Sequence, residues 1–516
     1  MYWQKFKQLD STRFKFILKG LIVGLLSGVV VSTFRLLIEI SLDRVIKMYQ
    51  WLHFHPVWLL PLVVVSICLA GVIGLLVKGE PNIMGSGIPQ VEGQLDGDLT
   101  IGWWPVLWRK FTAGVLGIGP GLFLGREGPS IQLGAAVGQG VATRLGHSES
   151  EKRIMLASGA AAGLAAAFNA PIAGTLFVLE EIYHNFSPLV WMTSLASAIA
   201  ADFISLNFFG LIPVLHMRYA YSFPLHLYWE LIVLGIVLGL LGYFYQRVLL
   251  ALPRWYGHLK GLPRYFHGVV PLLVVIPIGY FWPHSLGGGN LVILGLATKL
   301  PSFWPLLALF LLRFIFSMIS YGSGLPGGIF LPILTLGALI GALLGTLFAQ
   351  WQLMPAMYIM NFVIFAMAGY FAGIGKAPFT AILLITEMVG DLRHLMPLAL
   401  VSLVAYLVVD LLGGAPIYES LLNRLTATPT PPAANGENDR LEIPVFAGSP
   451  LEDDQVRDVQ WPQEGLLIAI RRQNRELIPH GDTLLRAGDM LIVATTCEQR
   501  GSVRHQLMAI ASQPKN

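Results

Sequence analysis

Charge is scarce in this 516-residue chain: Asp, Glu, Lys and Arg make up 12% of it, about half the share of an ordinary soluble domain. With 55% hydrophobic residues and a mean hydropathy of +0.65, that scarcity excludes a typical soluble enzyme and predicts a polytopic membrane protein. Cysteine is almost missing. Cys68 and Cys497 supply neither a disulfide framework nor a metal-ligand spacing. His53 and His55 form a His-x-His pair with no third ligand near, which reads as a loop facing water. A net charge of +4 and the lack of a basic-aromatic patch give no support to a nucleic-acid partner. The first residues show no signal-peptide core or cleavage site. Their Lys5, Lys7, Arg13, Lys15 and Lys19 make a basic lead-in expected on the cytoplasmic side.

What the chain has in quantity is apolar length, interrupted. Residues 14–40, 57–77, 155–181, 227–251, 304–320, 326–350 and 394–413 are each long or apolar enough to cross a bilayer or nearly so, and 188–320 supplies further spans. Arg35, Glu39, Asp43 and Arg44 read as an interfacial link between two helices over 14–77, and the isolated Asp202 and Glu230 as peripheral acids. The 55 Gly and 32 Pro fit close helix packing and broken helices.

One such break is Gly121–Pro129, GLFLGREGP. An ionisable pair at membrane depth, Arg126 and Glu127, is a functional candidate by default. The flanking Gly125 and Gly128 allow close backbone approach, and Pro129 suits the first turn of a new helix. A helix start at bilayer depth offers free N–H groups and a positive dipole end to an anion. An internal repeat strengthens this reading. GLFLGREGPSIQLGAAVG (121–138) lies over GLPGGIFLPILTLGALIG (324–341) without a gap, and NAPIAGTLFVLEE (169–181) over KAPFTAILLITEM (376–388). Two homologous halves with broken helices at matching places point to a midplane site built from facing helix ends. Ile329 and Phe330 replace the Arg-Glu pair in the second copy, so one half brings a titratable gate and the other only backbone N–H groups. GSGIP (85–89) could present a hydroxyl and backbone N–H groups. Its look-alike at Ser323 reads as a decoy, because it falls before the second broken helix.

Taken in order, GSGIP, GREGP, GGIFLP (327–332) and Tyr418 resemble the CLC chloride channel and transporter family over roughly residues 15–425. The resemblance implies an all-α polytopic fold of two inverted repeats, a homodimer, and one anion pathway per subunit. It implies that Ser86 and Tyr418 donate hydroxyl groups to a central chloride, with Gly128 and the N–H groups of Ile329 and Phe330 completing the site. Glu127 resembles the external gating glutamate and Glu181 the internal proton-transfer glutamate of the exchangers. Glu180, with its repeat partner Glu387, reads as structural. Lys110 matches a lysine found near the pathway in many members, and Gln90 departs from the glutamate that often follows GSGIP. The function implied is proton-coupled chloride antiport, with a passive voltage- or pH-gated chloride channel as the alternative.

After residue 425 the composition changes. Residues 426–440 read as a Pro-rich linker and 441–516 as a small cytoplasmic α/β domain, with strands at 466–470 and 490–496, turns at QNRE and HGDT, and a helix over 497–511. This tail resembles the C-terminal subdomain of potassium-uptake regulatory proteins, which implies a regulatory module with an unknown small ligand. The domain division is therefore 1–425 for anion transport, 426–440 for the linker and 441–516 for the tail. A potassium transporter would need a carbonyl-lined filter such as TVGYG, which the sequence does not contain. No histidine stands in any motif with Ser86 to act as a base, so no enzyme is expected. Chloride and protons are the expected substrates, with no cofactor or metal, in a multi-pass inner (plasma) membrane protein with both termini cytoplasmic.

Overall fold

The computed structural model describes residues 11–145, 148–217, 221–259, 261–426, 438–446, 449–472, 475–496 and 499–512. Lys5, Lys7, Cys497, most of the linker and half of QNRE lie outside these residues. The chain divides into two compact units, one made of most of the chain up to Asn423 and the other holding the C-terminal residues from Arg424 together with Gly93–Thr100 and residues 147–151.

The first unit is helical. Its helices, some of whose end residues fall in the second unit, are α1 (Ser11–Leu52), α2 (Leu59–Gly79), α3 (Ile88–Asp96), α4 (Trp103–Ile118), α5 (Glu127–Leu145), α6 (Glu149–Phe168), α7 (Pro171–Phe177), α8 (Pro188–Phe209) and α9 (Tyr228–Tyr256). They continue as α10 (Val269–Phe281), α11 (Asn290–Thr298), α12 (Phe303–Gly322), α13 (Phe330–Gln350), α14 (Ile359–Gly375), α15 (Pro378–Val389), α16 (Leu395–Leu411) and α17 (Ile417–Thr426). Eight helical stretches among the described residues are long and apolar enough to cross a membrane.

The first span differs from its expectation. Arg35, Glu39, Asp43 and Arg44 do not separate two helices. They ride on one 42-residue helix, α1, with Arg35 buried. The stretch 155–181 is not one span either. It breaks at Asn169, whose φ of 54° is left-handed, and Pro171 starts α7. Spans over Pro188–Phe209, Arg264–Phe281 and Ala356–Gly375 complete the set. Glu230, read as peripheral, is enclosed in the first turn of α9, where free helix N–H groups favour a carboxylate.

The two copies of the repeat pack alike. A side chain on Gly134 of α5 would strike the carbonyl of Gly159 on α6, and one on Gly337 of α13 would come 2.7 Å from the carbonyl of Ala366 on α14. These glycines are repeat counterparts, so each half uses the same small residue to bring two helix backbones together.

The C-terminal unit holds a four-stranded antiparallel sheet of strands β1 (Asn438–Pro444), β2 (Leu466–Arg472), β3 (Arg475–Leu477) and β4 (Met490–Thr496), in the order β1-β4-β2-β3. Helix α18 (Arg500–Ser512) follows. Leu441, Ile443, Ile470, Leu491 and Val493 of the sheet close a core with Val503 and Leu507 of α18. The first strand starts inside the stretch read as linker.

Candidate anion site

Three glycine-rich corners meet in the first unit. The N–H of Gly125 donates to the carbonyl of Gly328 at 2.7 Å, and the N–H of Gly328 donates back to Gly125 at 2.6 Å, an isolated antiparallel bridge. The same second-repeat corner takes the GSGIP loop: Gly85 N–H donates to Gly324 O at 3.4 Å and Gly327 N–H to Gly85 O at 3.0 Å. Residues 125–129 and 327–332 are thus neighbours, and helices α5 and α13 both start at this junction.

Glycine is required here by contact. A Cβ on Gly128 would run into the Ser86 hydroxyl, and one on Gly125 into the Glu127 carboxyl. Gly85 and Gly87 have φ of 62° and 93°, which only glycine adopts freely. The loop is fastened from several sides. The buried Lys110 donates from Nζ to Ile83 O at 2.9 Å and to Gly85 O at 2.8 Å. Gln90 Nε2 donates to Met84 O at 3.0 Å, and Gln132 Nε2 to Asn82 O at 2.8 Å. Gln90, a departure in the motif, therefore acts as a clamp on the loop that carries Ser86. Ser323, by contrast, spends its hydroxyl on Ser320 O at 2.7 Å.

Glu127 is fully buried as the first residue of α5. Its carboxyl faces its own backbone N–H and that of Leu331, in the first turn of α13, without closing a full hydrogen bond to any described group. The adjacent Arg126 does not pair with it. Arg126 Nη1 donates to Glu39 at 2.6 Å, and Glu39 also takes Arg35 Nε at 3.1 Å. A carboxyl side chain therefore sits where two helix starts converge, with its neighbouring cation committed elsewhere.

Tyr418, the second residue of α17, is fully buried. Its ring meets Phe177 edge-on at 6.0 Å, and Phe177 and Phe371 flank Phe330 at 5.6 and 4.4 Å. This aromatic packing ties α17 to the start of α13. Glu181 and Glu127 both lie within electrostatic reach of Tyr418. The Ser86 and Tyr418 hydroxyls have no hydrogen-bond partner among the described residues. Buried polar atoms are rarely left so, and hydroxyls beside helix N-termini are donors waiting for an acceptor.

Glu181 lies on a π-helical turn, Val178–Ile182, closed by Tyr183 N–H to Val178 O at 2.7 Å. Such turns recur at functional sites. Glu181 is buried within electrostatic reach of Glu92 of α3, while its neighbour Glu180 reaches across to α15. Glu180 accepts from Thr380 N–H at 2.8 Å and from the Thr380 hydroxyl at 2.7 Å, capping α15. Its counterpart Glu387 accepts from Ala173 N–H at 2.7 Å, capping α7. Each repeat caps the helix of the other.

Several contributors escape the motifs. Arg35 Nη1 donates to Asn169 Oδ1 at 2.5 Å, pinning the break before α7. Gln246 Nε2 donates to Ile374 O at 2.8 Å and Ala415 O at 2.9 Å, fixing the chain ahead of Tyr418. Arg313 donates to Ser285 O and Gly287 O at 3.0 and 2.7 Å. A lone Arg inside the apolar run FLLRF is a visible signal; Gln246 beside YFY is not.

Residues 69–410 match the family model described as voltage gated chloride channel, and residues 440–507 match the TrkA-C domain model. The chain is 36% identical to the H(+)/Cl(-) exchange transporter ClcA of Vibrio parahaemolyticus over 440 residues, covering 81% of this chain and 92% of that one. It is 35% identical to the protein of the same name from Vibrio campbellii, covering 80% and 90%. Its fold matches the crystal structure of a slow cyanobacterial Cl-/H+ antiporter with a TM-score of 0.75 and 32% identity, covering 80% of this chain and 98% of that one. With the corners, the carboxylates and the repeat in place, the chain belongs to the voltage-gated chloride channel family, the CLC family, and carries a TrkA-C domain after its membrane domain.

Proposed function

We infer that this protein exchanges chloride for protons across a membrane. The observation that carries the reading is the placement of Glu127: a buried carboxyl at the meeting of two helix starts, beside Gly128 and Ser86 and facing Leu331 N–H. A carboxylate and a chloride ion compete for such a pocket, because both are drawn by unpaired N–H groups and positive helix ends. Protonation removes the charge that holds Glu127 there and lets chloride in. Ser86 and Tyr418 donate their hydroxyls to the ion, and the N–H groups of Ile329 and Phe330 and the backbone at Gly128 complete its shell. Glu181, buried within electrostatic reach of Tyr418, relays the proton.

A passive channel on the same fold would have no use for a second buried carboxyl at position 181. The relatives named as H(+)/Cl(-) exchange transporters favour exchange as well. The reading extends to a homodimer in the inner membrane, with both termini cytoplasmic, as the basic Arg13, Lys15 and Lys19 at the start of α1 favour. It takes chloride as substrate, requires no cofactor and makes no covalent change. A small ligand at the TrkA-C domain is part of the same proposal.

The test is a proteoliposome assay that follows chloride efflux and proton movement together. Glu181→Gln is expected to keep chloride flux and lose chloride-driven proton pumping. Glu127→Gln is expected to lose pumping and to make chloride flux insensitive to pH. Pumping that survives in Glu181→Gln refutes the relay, and a reversal potential set by chloride alone in the unmodified protein refutes exchange.

A further inference from the structure

A third buried hydroxyl near the site has no assigned task. Tyr245 of α9 is 0% exposed, and its hydroxyl has no hydrogen-bond partner among the described residues. Its ring packs against Phe314 at 6.1 Å and Tyr370 at 6.0 Å. Tyr245 and Tyr321 both lie within electrostatic reach of Tyr418, as the two glutamates do, and Tyr245 lies within reach of Tyr321. Tyr321 belongs to the same enclosure. Its hydroxyl would lie 3.6 Å from a Cβ on Gly85, and the Ser86 N–H faces it.

The neighbouring residue on the same helix already serves this region. Gln246 holds Ile374 O and Ala415 O, which sets the chain three residues before Tyr418. Helix α9 thus places two consecutive residues in the region behind Tyr418, one bonded to backbone and the other ending in an unpartnered phenol. An enclosed phenol without an acceptor costs roughly as much as a lost hydrogen bond, and buried polar groups of a settled interior take partners from protein, water or a bound ion. The other two unpartnered hydroxyls of the enclosure, Ser86 and Tyr418, are already read as chloride donors.

We propose that Tyr245 is a further chloride-coordinating residue, donating its hydroxyl to the anion on the Tyr321 side of the Ser86–Tyr418 pair. The inference rests on the chloride reading of the site given above. A phenol suits this place because it binds a halide through a neutral donor. The ion is held while it passes but is not trapped, as conduction requires.

Chloride affinity measured by titration calorimetry on the purified full-length protein tests it, with Tyr245→Phe and Tyr370→Phe compared. Tyr370 is the matched control: it packs ring to ring with Tyr245, but its hydroxyl already donates to Leu241 O at 3.4 Å. Tyr245→Phe is expected to weaken chloride binding by about tenfold, the loss of one hydroxyl donor to an ion. Tyr370→Phe is expected to leave the affinity unchanged. The stabilisation that added chloride gives in thermal unfolding is expected to shrink in Tyr245→Phe alone. Unchanged affinity in Tyr245→Phe overturns the proposal, as does an equal loss in both variants. An unmodified protein that binds no chloride overturns the reading beneath it instead.

Discussion

Gly128 shows how much a single missing side chain does here. An added Cβ would meet the Ser86 hydroxyl and lie 2.8 Å from the Ser86 carbonyl, so Ser86 would have to leave its place. Gly328, on the other side of the junction, has more room: its Cβ would stand 3.2 Å from Gly128 N and 3.3 Å from Gly125 O. Gly128→Ala is therefore expected to reduce chloride affinity by about tenfold and to cost roughly 1–3 kcal/mol of stability through overpacking. Gly328→Ala is expected to do clearly less of both. Calorimetric titration and thermal unfolding in detergent check the pair, and equal losses would contradict the contact argument. At this scale the sequence was informative wherever a corner needs glycine or proline, because those residues leave a mark in one dimension. GREGP and GGIFLP could be placed face to face from their repeat alone. Lys110, Gln90 and Gln246 could not be given their tasks, because a donor that clamps a backbone carbonyl looks the same in sequence as any other polar residue.

Among the elements, the reciprocal caps carry the clearest energetic consequence. Glu180 closes the N-terminus of α15 and Glu387 that of α7, each with two backbone N–H groups in reach. A lost N-terminal cap costs about 0.5–2 kcal/mol. Glu180→Ala and Glu387→Ala are each expected to lower stability within that range and by similar amounts, as read from thermal unfolding of the two variants. A neutral effect at one of them would mean that the repeat symmetry does not extend to this contact. The pairing of the two glutamates was legible from the repeat, but the π-turn beside it was not. VLEEI reads as ordinary helix, and its counterpart in α15 is ordinary helix. The wide turn separates Glu180, which bonds to α15, from the buried Glu181. Helix ends in evenly apolar stretches were equally hidden. The charges on α1 suggested a loop, because nothing in sequence shows that Arg35 is buried against Asn169 and the Phe209 ring.

Across the whole molecule, two kinds of solvent have shaped one chain. The membrane unit is held by close backbone contact between small residues, whereas the C-terminal unit is an aqueous fold with its own core and an internal ion pair. Strand β1 was missed because NDRLEIP is too polar to stand out next to a Pro-rich linker. It is a strand because β4 offers it a full antiparallel register, from Asn438 opposite Thr496 to Pro444 opposite Met490. Asp489 is 1% exposed and accepts from Arg472 Nε and Nη2 at 2.7 Å each and from Arg486 N–H at 2.9 Å. The carboxylate holds the Arg472 guanidinium above its ordinary range. Removing the arginine leaves a buried carboxylate with one backbone donor. The cost of breaking a buried pair runs to several kcal/mol, and the partial exposure of Arg472 brings the expectation down to about 1–3 kcal/mol. Every residue proposed to handle chloride or protons, from Ser86 to Tyr418, lies in the membrane unit. Arg472→Ala is therefore expected to make the C-terminal unit cleave sooner in limited proteolysis while the proton-to-chloride ratio in liposomes stays at its original value. A changed ratio would show that the TrkA-C domain takes part in the exchange step itself, and would move the search for its ligand to conditions of active transport.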